Sequence, residues 1–195
     1  MIKKIILGSK SKVRKDILSL NNIQCEAVPS NLDEEIIKKS LIKQNASPEI
    51  ISKNLAELKA NKVSLRFQDE IVLGADSVID LDGKIISKPS NRDEAFEILK
   101  LLNGKPHKLI SSACISKNGN MIWNYTDKAT LTMKSFTNEE LKNYLKLISD
   151  ESLYAYNVYQ IEGEGKSLFS KIEGDKDTIM GLPIKEIKEY LENYK

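Results

Sequence analysis

Histidine is nearly absent from this 195-residue chain; His107 is the only one. A histidine-based catalytic triad therefore has a single possible base, flanked by Pro106 and Lys108, and no nucleophile elbow accompanies it. Cysteine is scarce too. Cys25 and Cys114 stand far apart without metal-ligand spacing, and the pair reads as two buried thiols in a reducing cytosol. Charge of one sign is lacking: the formal net charge is +2, with lysines interspersed among acids, which argues against a dedicated nucleic-acid binder with its basic stripe. No apolar run approaches the length of a membrane span. The opening Met1-Ile2-Lys3-Lys4-Ile5-Ile6-Leu7 is basic and then apolar, but it meets Gly8-Ser9 too soon for a signal segment and reads as a first strand. The lone tryptophan, Trp123, alternates with Ile122 and Tyr125 along a strand and reads as packing. Repeats, low-complexity tracts and linkers are missing, so residues 1–195 are expected to form one domain, long enough to bury roughly 70% of the unfolded surface.

What is present is an alternation of strands and helices. Lys3–Leu7 reads as a strand, and Val13–Leu20 as a helix with Val13, Ile17, Leu18 and Leu20 on or near one face. Ile23–Val28 returns as a strand, and Glu34–Gln44 and Ser47–Arg66 are helical, the latter with Ser47 as N-cap and Pro48 at the first helical position. Ile71-Val72-Leu73 is a short buried strand that delivers Asp76 at its C-terminal end, where open α/β sheets build their crevices. Asp82-Gly83 between two apolar runs is a strong hairpin signal, and Asn118-Gly119 joins a second hairpin, Lys108–Lys117 with Met121–Lys134. Asn91 with Glu94 opens a helix that ends before Gly104, and Thr137 with Glu140 opens another to Ile148. A Tyr- and Gly-rich stretch comes after Asp150, and a last helix starts near Pro183. The fold class is α/β with a mixed sheet rather than a purely parallel one.

Gly74-Ala75-Asp76-Ser77-Val78 is the segment that points to chemistry. A carboxylate next to a buried strand costs free energy unless it is paired, hydrogen-bonded or metal-bound. The first strand leads into Gly8-Ser9-Lys10-Ser11-Lys12-Val13-Arg14. A strand, a small-residue turn and a helix start form an anion site from free backbone N–H groups, with Ser9 and Ser11 as hydroxyl donors and Arg14 suited to bidentate phosphate contact. The spacing is not that of a Walker loop. Taken singly, the remaining charges have plainer readings: Asp33-Glu34-Glu35 as acids favouring a helix N-terminus, Lys59 as a solvated helical lysine, and Lys88 before Pro89 as a lysine at a strand exit.

Taken together, these segments resemble the Maf-type nucleoside triphosphate pyrophosphatases, also called septum-formation-inhibitor-like proteins, nearly end to end. Leu7–Arg14 resembles the family's LASxSPRR opening, Leu32-Asp33-Glu34 its VDE, and Leu55–Ala60 its LAxxKA. Gly74–Val78 resembles GADTVV, Lys88-Pro89 its KP, and Leu101–His107 its LLSGxxH. Ile172–Asp175 and Gly181-Leu182-Pro183 resemble the closing IEGD and GLP. The resemblance implies a cytoplasmic protein with a mixed twisted sheet flanked by helices, two lobes around a cleft, similar to the inosine-triphosphate pyrophosphatases, and often homodimeric. It implies hydrolysis of a nucleoside triphosphate to the monophosphate and diphosphate, with a divalent metal, Mg²⁺ or Mn²⁺. Asp76, Glu34 and Lys88 are then expected to be catalytic, with Asp76 the proton acceptor and Glu34 and Asp76 the metal ligands. Ser9, Ser11, Arg14, Lys59 and Glu162 are expected to bind substrate. Departures from the family pattern bear on substrate preference: Lys12-Val13 replaces Pro-Arg, Ser77 replaces threonine or glutamine, Glu162 stands where many members have glutamine, and Asn157 replaces a glycine. No membrane and no stable nucleic-acid partner is expected. A catalytically weakened interaction protein and a nucleotide sensor without turnover are the alternatives from other classes.

Overall fold

The computed structural model describes residues 4–194, which leaves Lys3 of the expected first strand outside the described residues. The chain opens with strand β1 (Ile5–Leu7), helix α1 (Lys12–Leu20), strand β2 (Cys25–Ala27), and helices α2 (Glu34–Lys43) and α3 (Pro48–Ser64). Strands β3 (Val72–Leu81) and β4 (Lys84–Ile86) form the first hairpin, and helix α4 (Arg92–Leu102) precedes the second, β5 (Pro106–Lys117) with β6 (Asn120–Met133). Helices α5 (Asn138–Leu147) and α6 (Asp150–Tyr156), strand β7 (Phe169–Glu173), and helices α7 (Lys176–Ile179) and α8 (Ile184–Asn193) complete the order.

Among the described residues, seven strands make one mixed sheet in the order β2-β1-β3-β5-β6-β7, with β4 on β3. β1 is parallel to β2 and β3, whereas the pairs β3–β4, β3–β5, β5–β6 and β6–β7 are antiparallel. The pairing of β1 with β3 ends at Leu7 opposite Leu73, and β4 joins the same edge only from Ile79, opposite Ile86. Between those two points the β1-side edge of β3 is open. This gap in the sheet is what admits a cleft.

Local chemistry sets the element ends. Ser47 accepts from the Ile50 N–H to cap α3, Thr137 and Glu140 form a reciprocal capping box at α5, and Asn91 caps α4. α3 buries a stripe of Ile51, Ser52, Leu55, Ala56, Lys59, Ala60 and Val63 against the sheet. It can lie this close only because of Gly74: a Cβ there would stand 2.2 Å from the Ala56 carbonyl oxygen. Two large apolar clusters flank the gap. One joins α1, α8 and the first half of β3; the other joins α4, α5, β7 and the far halves of β3, β5 and β6.

Three expectations are corrected. β3 does not stop at Asp76 but runs on to Leu81, so Asp76 sits in mid-strand; the polar Asp76-Ser77 pair interrupts the apolar run without interrupting the ladder to β5. Leu20 is 82% exposed rather than on the packed face of α1. Cys25 is only partly buried because it lies on edge strand β2, whereas Cys114 is buried; both are free thiols. The region between the Tyr- and Gly-rich stretch and the last helix holds α6, β7 and α7, all too short to carry a clear period. Trp123 does pack, stacked on Tyr190 with centroids 5.1 Å apart and on Tyr125 at 6.2 Å. Among the described residues, no helix is long and apolar enough to cross a membrane.

Candidate active site

A cleft of about 640 Å³ opens at the gap in the sheet. Its lining includes Ser9, Ser11, Arg14, Glu34, Lys59, Asp76, Lys88 and Glu162, which come from segments far apart along the chain. The structure thus brings every site residue named from the sequence to one cavity.

Its centre is a buried lysine between two acids. Lys59 Nζ lies 2.7 Å from Asp76 Oδ1 and 2.9 Å from Glu34 Oε2. Asp76 and Lys59 are each 5% exposed, so the reading of Lys59 as a solvated helical lysine fails. The Ser52 hydroxyl donates to the Asp76 carbonyl and fixes the strand there. Glu34 begins α2, but its carboxylate does not cap the helix; Asp33 does so by accepting from the Ile36 N–H. Burial raises the Glu34 pKa, but Lys59, Lys38 and Arg14 outweigh it and hold the acid below its ordinary value. One atom of this cluster stands apart: Asp76 Oδ2 is buried with no hydrogen-bond partner among the described residues. An anionic oxygen so placed calls for a cation, a proton or a water.

The anion loop lies beside it. Ser9 Oγ accepts from the Ser11 N–H and from an Arg14 Nη1–H, both at 3.2 Å, and Ser11 Oγ accepts from the Arg14 N–H as the α1 cap. Each hydroxyl therefore keeps its own proton to donate. Lys88, exposed as a residue, comes after β4 on the opposite wall. Loss of water around its ammonium, together with Arg14 and Lys38, draws its pKa below the ordinary lysine value, against the pull of Glu34 and Asp76.

Part of the remaining lining is apolar. Val78 and Ile79 of β3, Ile85 and Ile86 of β4, and Leu109 of β5 face Ile161, Ile179 and Met180. Ile79 lies three residues beyond Asp76, roughly 10 Å along the strand. Tyr159 also lines the cleft, with its hydroxyl 2.7 Å from His107 Nε2 and its ring edge-on to Phe169 at 4.8 Å. Burial lowers the His107 pKa to about 4, despite the Lys105 backbone, so the ring is neutral at pH 7 and belongs to the packing. Sequence reasoning missed Lys38, Tyr159, Gln160 and Met180 in the lining. Lys38 had a signal, since it stands one helical turn after Glu34; the others lie where no periodicity guides the eye. Asn157, which the resemblance places where a glycine is usual, has φ 75° and ψ −162°, a conformation that favours glycine.

A buried lysine bridging two carboxylates, a small-residue loop at a helix start and an apolar patch thus meet in one gap of a mixed α/β sheet. The fold is similar to that of a HAM1 protein from Coxiella burnetii (TM-score 0.52, 9% identity, 98% of this chain and 99% of that one) and of the Staphylococcus aureus Ham1 protein (TM-score 0.50, 12% identity, 99% and 100%). The family is shown by sequence: the chain belongs to the Maf-like proteins, whose family model matches residues 4–194. A nucleoside triphosphate pyrophosphatase of Pelagibacter ubique (strain HTCC1062) is 72% identical over 191 residues, covering 98% of each chain. A 7-methyl-GTP pyrophosphatase of Mesorhizobium japonicum is 38% identical over 184 residues, covering 94% of this chain and 92% of the relative.

Proposed function

We propose that the protein is a nucleoside triphosphate pyrophosphatase that hydrolyses the bond between the α- and β-phosphates, releasing the monophosphate and diphosphate. The relatives' activities and the single cleft that joins acids, lysines and anion loop support this reading. The observation that carries it is the orphaned Asp76 Oδ2 beside the Lys59–Glu34 pair.

Attack at phosphorus requires an oriented water, screened phosphate charge and a stabilised leaving group. Asp76 has one oxygen held by Lys59 and one left over; the second orients the water and takes its proton. Ser9, Ser11 and the loop N–H groups bind phosphate oxygens, Lys88 adds charge from the opposite wall, and Lys59 holds the two carboxylates in place. The apolar wall beyond Ile79 receives the nucleoside, with Glu162 at its rim. Among the described residues no group of three His, Cys, Asp or Glu side chains gathers into a metal cage. Asp76 Oδ2 and Glu34 nonetheless suit a hard cation that takes few carboxylates and completes its shell with water and substrate oxygens, as Mg²⁺ and Mn²⁺ do. Held there by Asp76 and Glu34, such an ion would neutralise phosphate charge and lower the pKa of a bound water.

The test is release of diphosphate from a panel of nucleoside triphosphates with Mg²⁺, Mn²⁺ or EDTA. Metal-dependent release with the monophosphate as co-product is expected. Tight binding without release would replace the enzyme by a sensor.

A further inference from the structure

Arg14 is expected from the resemblance to bind substrate, yet its guanidinium is committed elsewhere. Nε donates to the Gly181 carbonyl at 2.9 Å. Nη1 donates to Ser9 Oγ at 3.2 Å and to the Ala75 carbonyl at 3.0 Å, and Nη2 donates to Ser77 Oγ at 3.2 Å. Four of its five N–H groups are thus spent on protein acceptors. The Ala75 carbonyl lies on the open edge of β3, between the last pairing with β1 and the first with β4. A strand would normally satisfy it; here Arg14 does. The same fork ties in Ser9 of the anion loop and the turn before α8. It therefore clamps three pieces of the cleft floor on both sides of Asp76, at Ala75 and Ser77.

What aims the fork is a directed chain of hydroxyls. Ser111 Oγ, fully buried, lies 2.7 Å from the Thr178 carbonyl, which can only accept, so Ser111 spends its proton there. The Ser77 hydroxyl, 2.8 Å from Ser111 Oγ, must then donate to Ser111 and present its lone pairs to Arg14. Thr178 is itself anchored through its own hydroxyl, which donates to Asp127 Oδ2 at 2.6 Å. No member of the chain is free to turn without leaving a polar group unpaired.

We propose that Ser77 and Ser111 are positioning residues for hydrolysis: their oriented hydroxyls aim Arg14 at the open edge of β3, and Arg14 acts by holding the Asp76 strand against the Ser9 loop, not by touching the substrate. The catalytic part of this inference rests on the function proposed above.

Ser77→Thr keeps the hydroxyl and Ser77→Val removes it at equal shape, so the pair isolates the hydrogen bond from packing; Ser111→Ala cuts the chain one step further back. Steady-state diphosphate release should be unchanged in Ser77→Thr. In Ser77→Val and Ser111→Ala it should show kcat lowered about tenfold or more, with KM within about twofold, because misplacement of the base affects the chemical step. The Arg14 Nε–H signal in ¹⁵N NMR, assigned by its loss in Arg14→Lys, should be sharp and slowly exchanging in the parent and in Ser77→Thr, and lost in Ser77→Val. Equal kcat in the Thr and Val variants overturns the proposal, as does a raised KM at constant kcat, which would place Arg14 on the substrate. If the parent releases no diphosphate, the proposed function fails and the catalytic part of this inference with it. The NMR comparison then still decides the clamp: a sharp Arg14 signal in all variants overturns it, and selective loss in Ser77→Val upholds it.

Discussion

From Ala75 to Ser77, strand β3 is surrounded by Arg14, Lys59, Glu34 and the Ser77–Ser111 hydroxyl chain; from Val78 to Leu81, the same strand is packed among aliphatic side chains of β4 and β5. The first stretch lacks a strand on one edge and replaces it with side-chain hydrogen bonds, whereas the second is paired on both edges from Ile79 onward. The charged end therefore depends on a few paired groups, any one of which leaves an uncompensated partner when removed. The apolar end depends on area, which is shared among many residues and tolerates loss better. That contrast suits a site in which chemistry is done at one end and a head group is held at the other.

The contrast can be broken at several places. The largest effect is expected from Lys59→Met, which strands Asp76 and Glu34 without their cation. Removing one partner of a buried pair costs about 3–5 kcal/mol, read by urea unfolding at pH 7. An unchanged midpoint would mean that Lys59 is not their counter-ion. At the apolar end, His107 is held at a pKa of about 4 instead of 6.5. Between these values the unfolded chain binds the extra proton, so the stability due to neutral His107 is complete above 6.5 and is lost as pH falls towards 4, by roughly 3 kcal/mol in all. Glu34, held below its ordinary pKa by Lys59, Lys38 and Arg14, contributes stability that is present above that ordinary value and is lost as pH falls through the lowered one. His107→Gln should flatten the slope between pH 6.5 and 4 relative to the parent; parallel curves would show that the ring charges freely.

Asp76→Asn keeps shape and removes charge, and turnover should fall at least about a hundredfold, the scale of a lost general base. Near-normal kcat would remove Asp76 from the chemistry. Smaller still, Asn157→Gly should relieve its unfavourable backbone conformation and raise stability by about 1 kcal/mol, visible as a higher Tm; a lower Tm would mean that the bond from the Val158 N–H to Asn157 Oδ1 matters more than the backbone. The smallest change is expected from Glu162→Gln at the exposed rim. KM should shift by no more than about fivefold between nucleotides, with kcat constant, as for an interaction equal in ground and transition states. A large fall in kcat would move Glu162 into the catalytic machinery.

Much of the fold was legible because local signals and the final structure agree: Ser47-Pro48 at α3, Asp82-Gly83 and Asn118-Gly119 at the two hairpins, and Thr137 with Glu140 at α5. The true length of β3 was not legible, since Asp76-Ser77 looks like the end of an apolar strand until one knows that α3 packs over it and that Arg14 caps its open edge. The cleft residues could be named through their order along the chain. Their partnerships could not: that Lys59 faces two carboxylates, or that Arg14 faces Gly181 across 167 positions, is set by tertiary packing. The lining beyond Asn157 was illegible for the same reason, being built from short elements without a period.

The most direct measurement is hydrolysis of a nucleoside triphosphate substrate in ¹⁸O-enriched water, with the label located by mass spectrometry. Water activated at Asp76 and directed at the α-phosphorus should place a single ¹⁸O in the nucleoside monophosphate and none in the diphosphate. Label in the diphosphate, or release of orthophosphate as the first product, would contradict the account.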